Sequence, residues 1–317
     1  MHGMASGFRV RRKRRQPTHN QNKHMKKILS IIGLAAATLA GIQAQTIWNY
    51  DFGTGSGTFN TASSASTTFL PTPPVNGGTA RVRVGSGGGS FNLENPGSSL
   101  GSGSELRIVA PTSSSVNKFS IYDYTSAATT FSISYDLRLS GGDSGTFYFF
   151  MGDGTTFSDN SGFNGSQVFT GIQWQYGASG AIITNVRNGG NWVTTGLSGT
   201  PFAQDTNYTV QVIGNNSASS INYNQGGVNT LAANTWDLWI GGTKVGNNLA
   251  KAQLANAANI DSFMFYGEIS TGNVANLAVD NISYANYAVP EPQTWFLIGL
   301  GAAIGLWNLR RRRVGGV

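Results

Sequence analysis

Residues 131–139 (FSISYDLRL) place Phe131, Ile133, Tyr135, Leu137 and Leu139 at every second position, with Ser132, Ser134, Asp136 and Arg138 between them. Successive side chains of an extended strand point to opposite faces, so this period of two describes a strand with one face in a core and one in water. Less regular runs of the same kind occupy 81–84, 105–109, 146–151, 169–176, 182–186, 208–213, 236–240, 260–266 and 277–284. Clusters of Gly, Ser, Asn and Asp separate them, which is turn chemistry. Roughly ten or more short strands with turn-rich spacers predict an all-β fold, an antiparallel jelly-roll-like β-sandwich over residues 45–288. Tandem immunoglobulin-like modules are the alternative, and the lack of a clear internal repeat favours one sandwich. The alanine-rich residues 248–258 (NLAKAQLANAA) form the only predicted helix of this body. Two stretches of low complexity, 53–66 and 85–103, are expected to be loops. The second contains Gly85-Ser86-Gly87-Gly88-Gly89 but no following Gly-Lys-Ser/Thr, so it is not a phosphate cradle.

The chain has 317 residues, no Cys, 43 Gly and 11% charged residues, against a typical charged content of about 25%. Without Cys no disulfide can form, and stability must come from a buried core, which a body of this length can supply. The formal charge of +7 is unevenly placed. Of 21 Lys and Arg, nine fall in residues 1–27 and four in 310–313, leaving eight between residues 45 and 288 against 13 acids. The body is therefore mildly acidic, which argues against nucleic acid as a partner. All three histidines, His2, His19 and His24, precede Met25. A body with neither His nor Cys excludes a Ser-His-Asp triad, a Cys-His pair and His/Cys metal sites.

Both ends carry targeting features. Residues 1–24 are polar and basic, and translation is expected to start at Met25, the preceding segment being a non-native or disordered extension. Lys26 and Lys27, the apolar residues 28–40 and the small Ala44 make residues 25–44 a secretory signal peptide with cleavage between Ala44 and Gln45. At the other end, Pro290 and Pro292 lack amide donors and mark a boundary after the body. The apolar residues 294–309 (TWFLIGLGAAIGLWNL) follow, then Arg310, Arg311, Arg312 and Arg313. A helix of that length reaches about 24 Å, a little short of the ~30 Å hydrocarbon core. The arginines would hold its far end in the cytoplasm.

The order Val289-Pro290-Glu291-Pro292, short apolar helix and Arg310 to Arg313 resembles the PEP-CTERM sorting signal of exported bacterial surface proteins. The resemblance covers residues 289–317. It implies recognition by an exosortase-type transpeptidase, cleavage near Pro290-Glu291-Pro292 and co-occurrence with extracellular polysaccharide. An ordinary membrane anchor with a proline-bearing linker is the alternative. In length, strand count and the closing run 277–284 (LAVDNISY), the body resembles concanavalin A-like and laminin-G-like sandwiches. On the same sandwich, laminarinase-like enzymes carry Glu-x-Asp-x-x-Glu along one strand; that pattern is missing here. The body has only Glu94, Glu105 and Glu268, widely spaced, so the missing carboxylate pair argues against a glycoside hydrolase or lyase. Asp136, Asp143 and Asp153 could converge in space, but solvated strand and turn positions are the expectation for them.

Two further sites are testable expectations. Asp153, Asp159 and Asn160 lie in an oxygen-rich loop after a strand and are candidate calcium ligands, although the spacing of a calcium hand is lacking. Trp192, beside Asn188 and Asn191, is the best candidate for an exposed ring that stacks on a sugar, with Gln173 and Gln175 as further hydroxyl partners. Trp174 and Tyr176 share one strand face and are expected in the core, and Trp236 and Trp239 are weaker candidates. The reading is an exported surface or matrix protein, structural or glycan-binding rather than an enzyme, held transiently at the inner membrane.

Overall fold

A computed structural model describes residues 45–287, apart from 102 and 159–161. The expected signal peptide, the tail helix 294–309 and Val289 to Pro292 lie outside the described residues. In chain order the strands begin β1 (Gln45–Tyr50), β2 (Gly57–Phe59), β3 (Ser64–Ser66), β4 (Thr79–Val84), β5 (Ser90–Glu94), β6 (Glu105–Val109) and β7 (Asn117–Tyr122). There follow β8 (Thr130–Ser140), β9 (Thr146–Gly152), β10 (Val168–Tyr176), β11 (Ile182–Asn188), β12 (Asn191–Val193) and β13 (Asn207–Asn215). The last are β14 (Ile221–Asn224), β15 (Val228–Leu231), β16 (Thr235–Ile240), β17 (Thr243–Ala250), β18 (Ser262–Glu268) and β19 (Asn276–Asn286).

Two antiparallel sheets make the sandwich. The nine-stranded sheet has the order β17-β16-β13-β8-β19-β6-β5-β2, with β1 also paired to β19. The eight-stranded sheet has the order β12-β11-β10-β9-β18-β7-β4-β3, and β14 and β15 form a separate hairpin. All ten strand runs read from the sequence are present. Residues 131–139 lie in β8, whose five alternating apolar side chains are all buried. They meet the inward rings of the other sheet: Tyr135 is 4.9 Å from Phe149 and 5.0 Å from Phe265, and Phe131 is 5.7 Å from Phe169. Each such side chain contributes about 1.5–3 kcal/mol on burial, which offsets chain entropy in a fold without disulfides. Gly214 in β13 is required by this packing, because a Cβ there would collide with the Phe131 ring.

Three expectations are corrected. Residues 248–258 are not a helix: β17 runs through Ala250 and an irregular segment follows. The amides of Ala252, Gln253 and Leu254 bond to the carbonyls of Phe169 and Val168, and Lys251 Nζ donates to Asn216 Oδ1 and the Leu254 carbonyl. These tertiary bonds outweigh the weak helical preference of alanine. The stretch 53–66 contains β2 and β3, and 85–103 contains β5, because their backbones complete ladders with β5, β4 and β6. Those pairings depend on main-chain groups, which Gly and Ser supply as well as any residue.

Candidate functional site

The outer face of the eight-stranded sheet is where the sequence departs from a polar solvent side. On β9, Phe147, Phe149 and Met151 enter the core between the sheets, and on β18 so do Phe263 and Phe265. Alternation then sends Tyr148 and Phe150 of β9, and Met264, Tyr266 and Glu268 of β18, to the opposite face. There they build a second apolar cluster that also takes in Phe157, Val168, Ala252 and Trp192. Tyr148 lies 4.9 Å from Tyr266, 5.4 Å from Trp192 and 5.6 Å from Phe150, measured between ring centroids.

A run of polar side chains borders these rings. Asn185 Nδ2 donates to Gln173 Oε1 at 2.7 Å and to Gln175 Oε1 at 3.1 Å. Gln173 Nε2 donates to Tyr148 Oη at 3.2 Å, and Tyr148 Oη donates to Glu268 Oε1 at 2.8 Å. Burial pushes the Glu268 carboxyl above its ordinary value, while hydrogen bonds from Tyr148 and Tyr266 pull it back. Burial likewise raises both phenols, so they remain protonated donors.

The segment between β9 and β10 packs over part of this face. It opens with the short helix α1 (Thr155–Ser158), whose Phe157 is buried in the outer cluster. Thr156 N donates to Gln167 Oε1 at 2.8 Å and Lys118 Nζ donates to the Thr156 carbonyl at 3.1 Å, while Arg81 Nη1 donates to the Ser158 carbonyl. Cations on carbonyls at the end of a helical turn complement its dipole. Beside this segment a cleft of about 250 Å³ opens between Arg83, Ser115, Lys118, Phe163, Met264 and Tyr266.

Trp192 is half-buried rather than freely exposed, because it closes the edge of the cluster. The Arg187 guanidinium lies 5.3 Å from its ring centroid and 5.1 Å from that of Phe163. Burial holds the Arg187 pKa below its ordinary value. Asn188 and Asn191 face each other across the β11–β12 turn, both exposed. Gln173 and Gln175 share the outer face with Trp192. Trp174 and Tyr176 are core residues, and Tyr176 Oη donates to the Asn276 carbonyl at 2.6 Å. Trp236 and Trp239 are buried too, Trp239 in a small cluster with Tyr223 of β14.

The three aspartates are not brought together. Asp143 and Asp153 flank opposite ends of β9, and Asp136 sits on the outer side of the other sheet, accepting from Thr209 and Asn281. Of the candidate calcium ligands, Asp159 and Asn160 lie outside the described residues. Among the described residues no three Asp, Glu, His or Cys side chains stand close enough to share a metal ion, and no helix is long and apolar enough to cross a membrane. Tyr148, Tyr266, Arg187 and Phe163 were not anticipated as site residues. The signal for Tyr148 was in residues 146–151 (TFYFFM), where aromatic rings occupy both parities and so predict that both faces of the strand are covered.

The chain is similar to several solved structures. One is the Emp47p carbohydrate recognition domain, at 10% identity and TM-score 0.41, covering 72% of this chain and 97% of that one. Another is a conserved carbohydrate esterase from the Shiga toxin-encoding bacteriophage phi24B, at 15% identity and TM-score 0.42, covering 77% and 100%. A third is a Bacillus subtilis protein with a galectin-like fold, at 10% identity and TM-score 0.40, covering 64% and 89%. Overlaps this loose carry no ligand chemistry from one chain to another. No curated protein sequence matches the chain. Residues 288–313 match the PEP-CTERM protein-sorting motif, so the chain carries a sorting signal that indicates an exported, envelope-associated protein.

Proposed function

We propose that the sandwich binds polysaccharide, without cleaving it, on the outer face of its eight-stranded sheet. The observation that carries this reading is the ring contact of Tyr148 with both Tyr266 and Trp192 on the outer side of a sheet, bordered by Gln173, Gln175 and Asn185. Apolar faces of pyranose rings pack on aromatic side chains. Amide groups exchange hydrogen bonds with hydroxyls, and here they are already oriented by bonds to one another and to Tyr148, which lowers the ordering cost of binding. Asn188 and Asn191 extend the polar border past Trp192. On this reading the tail passes through the inner membrane transiently by residues 294–309. An exosortase-type transpeptidase then cuts near Pro290-Glu291-Pro292, and the body is released to the cell surface or the extracellular polysaccharide matrix.

The test is binding of the purified protein to an array of neutral and charged polysaccharides, beside Trp192→Ala. The expected result is retention of at least one glycan by the wild type, with affinity falling about tenfold or more in the variant, in line with the loss of an interface aromatic, while its melting temperature stays close to wild type. Binding that survives Trp192→Ala, absence of any glycan binding, or release of reducing ends from a bound glycan would each defeat the proposal.

A further inference from the structure

Charge is segregated between the two outer faces of the sandwich. Of the eight Lys and Arg in residues 45–288, Arg81, Arg83, Lys118 and Arg187 project from β4, β7 and β11 of the eight-stranded sheet. Glu268 is the acid on the strands of that face. The nine-stranded sheet is the reverse, with Glu94, Glu105, Asp136, Asp237 and Asp280 on its outer side. The bases there are neutralised: Arg107 pairs with Glu94, Arg138 with Asp205 at 3.2 Å and Lys244 with Asp237 at 2.7 Å.

Arg187 differs from those three. It is half-buried between the Trp192 and Phe163 rings, and among the described residues no carboxylate lies within ion-pair distance of it. Its Nε is buried without a hydrogen-bond partner among the described residues. Desolvating a guanidinium without a counter-charge is unfavourable, and the protein tolerates it next to the amide border of the aromatic platform. A fork held between two rings has lost much of its freedom before binding, and its planar donor array matches a carboxylate.

Building on the glycan-binding reading, we infer that the polysaccharide is acidic. A uronate carboxylate pairs with Arg187 while its ring rests against Trp192 and Tyr148. The acidic opposite face and the net negative body discourage indiscriminate adsorption of polyanions, so the attraction is local.

The experiment measures binding of the purified protein to polygalacturonate and alginate, to methyl-esterified polygalacturonate and to dextran sulfate. Arg187→Gln, Arg187→Lys and, from the other face, Arg138→Gln are compared with wild type, and the melting temperature of each is recorded. A polyuronate is expected to bind, with both esterification and Arg187→Gln weakening it about ten- to a hundredfold, as for loss of a charged hydrogen bond. Arg187→Lys should fall between, Arg138→Gln should match wild type, and added salt should weaken binding. If Arg187→Gln does not fold, the ester comparison on the wild type decides. Equal affinity for the neutral ester overturns the acidic assignment but leaves the glycan-binding reading intact. Unchanged affinity in folded Arg187→Gln, equal binding of dextran sulfate, or no binding of either polyuronate also overturns it. A protein that retains no glycan at all defeats both proposals.

Discussion

Asp280 and Asp136 are direct cross-strand partners between β19 and β8, on the outer side of the nine-stranded sheet. Like charges placed opposite one another destabilise a sheet, and Asp280 is only 4% exposed. Burial first, and the fields of Asp136, Asp51 and Glu105 after it, push its carboxyl from an ordinary 3.8 up to about 6. The folded state therefore holds this proton more tightly than the unfolded chain does. As pH rises from about 4 to 6 the unfolded chain releases the proton first, so stability falls through that window and stays lower above it. Each pKa unit corresponds to about 1.4 kcal/mol, giving a ceiling near 3 kcal/mol; screening at this sheet surface reduces it to about 1–2 kcal/mol. Asp280→Asn removes the charge and keeps an oxygen to accept from Asn281 N, which now binds Oδ1 at 2.7 Å. The variant should match wild type near pH 4 and exceed it by about 1–2 kcal/mol at pH 7.5, about 2–8 °C in Tm for a domain of this size. Urea denaturation of both proteins at pH 4, 5, 6 and 7.5 measures the difference. An equal difference at every pH, or a weaker variant at pH 7.5, refutes the reasoning.

Three further outcomes are expected. Tyr135→Phe removes a buried hydroxyl that has no hydrogen-bond partner among the described residues, so stability should stay level or rise by about 1 kcal/mol in chemical denaturation. A loss of that size would point to a partner for the hydroxyl. Lys244→Ala leaves the fully buried Asp237 carboxylate with Tyr223 Oη and Asn248 N but no counter-charge, at a cost of about 3 kcal/mol. Adding Asp237→Asn should recover part of it, and no recovery in the double variant would contradict the account. Finally, the intact mass of the protein recovered from its host's surface should correspond to a species starting near Gln45 and ending near Pro290. Pro290→Ala with Glu291→Ala should retain the tail; a wild-type mass that still includes residues 295–309 would remove transpeptidase processing from the proposal.

The strand inventory was legible wherever burial is one-sided. In residues 131–139 apolar and polar positions alternate because one sheet face is dry and the other wet, and a linear pattern records that directly. The sorting motif was legible for a similar reason: its order of prolines, apolar run and arginines is local. Segments β2 and β3 were hidden, since three residues of mostly Gly, Ser and Thr give no side-chain period while their main-chain donors and acceptors still complete a ladder; β5 does carry the period, with Phe91 and Leu93 buried between Ser90, Asn92 and Glu94, but over five residues inside a Gly- and Ser-rich stretch. Residues 248–258 misled through alanine propensity, a preference of tenths of a kcal/mol, which backbone bonds to Phe169 and Val168 override.

For the candidate site, the sequence singled out Trp192, Asn188, Asn191 and the two glutamines, all from within one stretch of chain. Tyr148, Tyr266 and Phe163 come from three separate segments, and strand order assembles the first two: β9 lies between β10 and β18, placing Tyr148 directly across from Gln173 on one side and Tyr266 on the other. By itself, then, the sequence determined an all-β body with a dry interior, the absence of His and Cys chemistry from it, and a tail that matches a sorting motif. The tertiary structure decided which face carries the rings, that among the described residues no carboxylate pairs with Arg187 there, and that Glu94, Glu105, Asp136, Asp237 and Asp280 lie on the outer side of the other sheet. Periodicity and motif are properties of neighbours along the chain, whereas a binding face is assembled from register between strands distant in it.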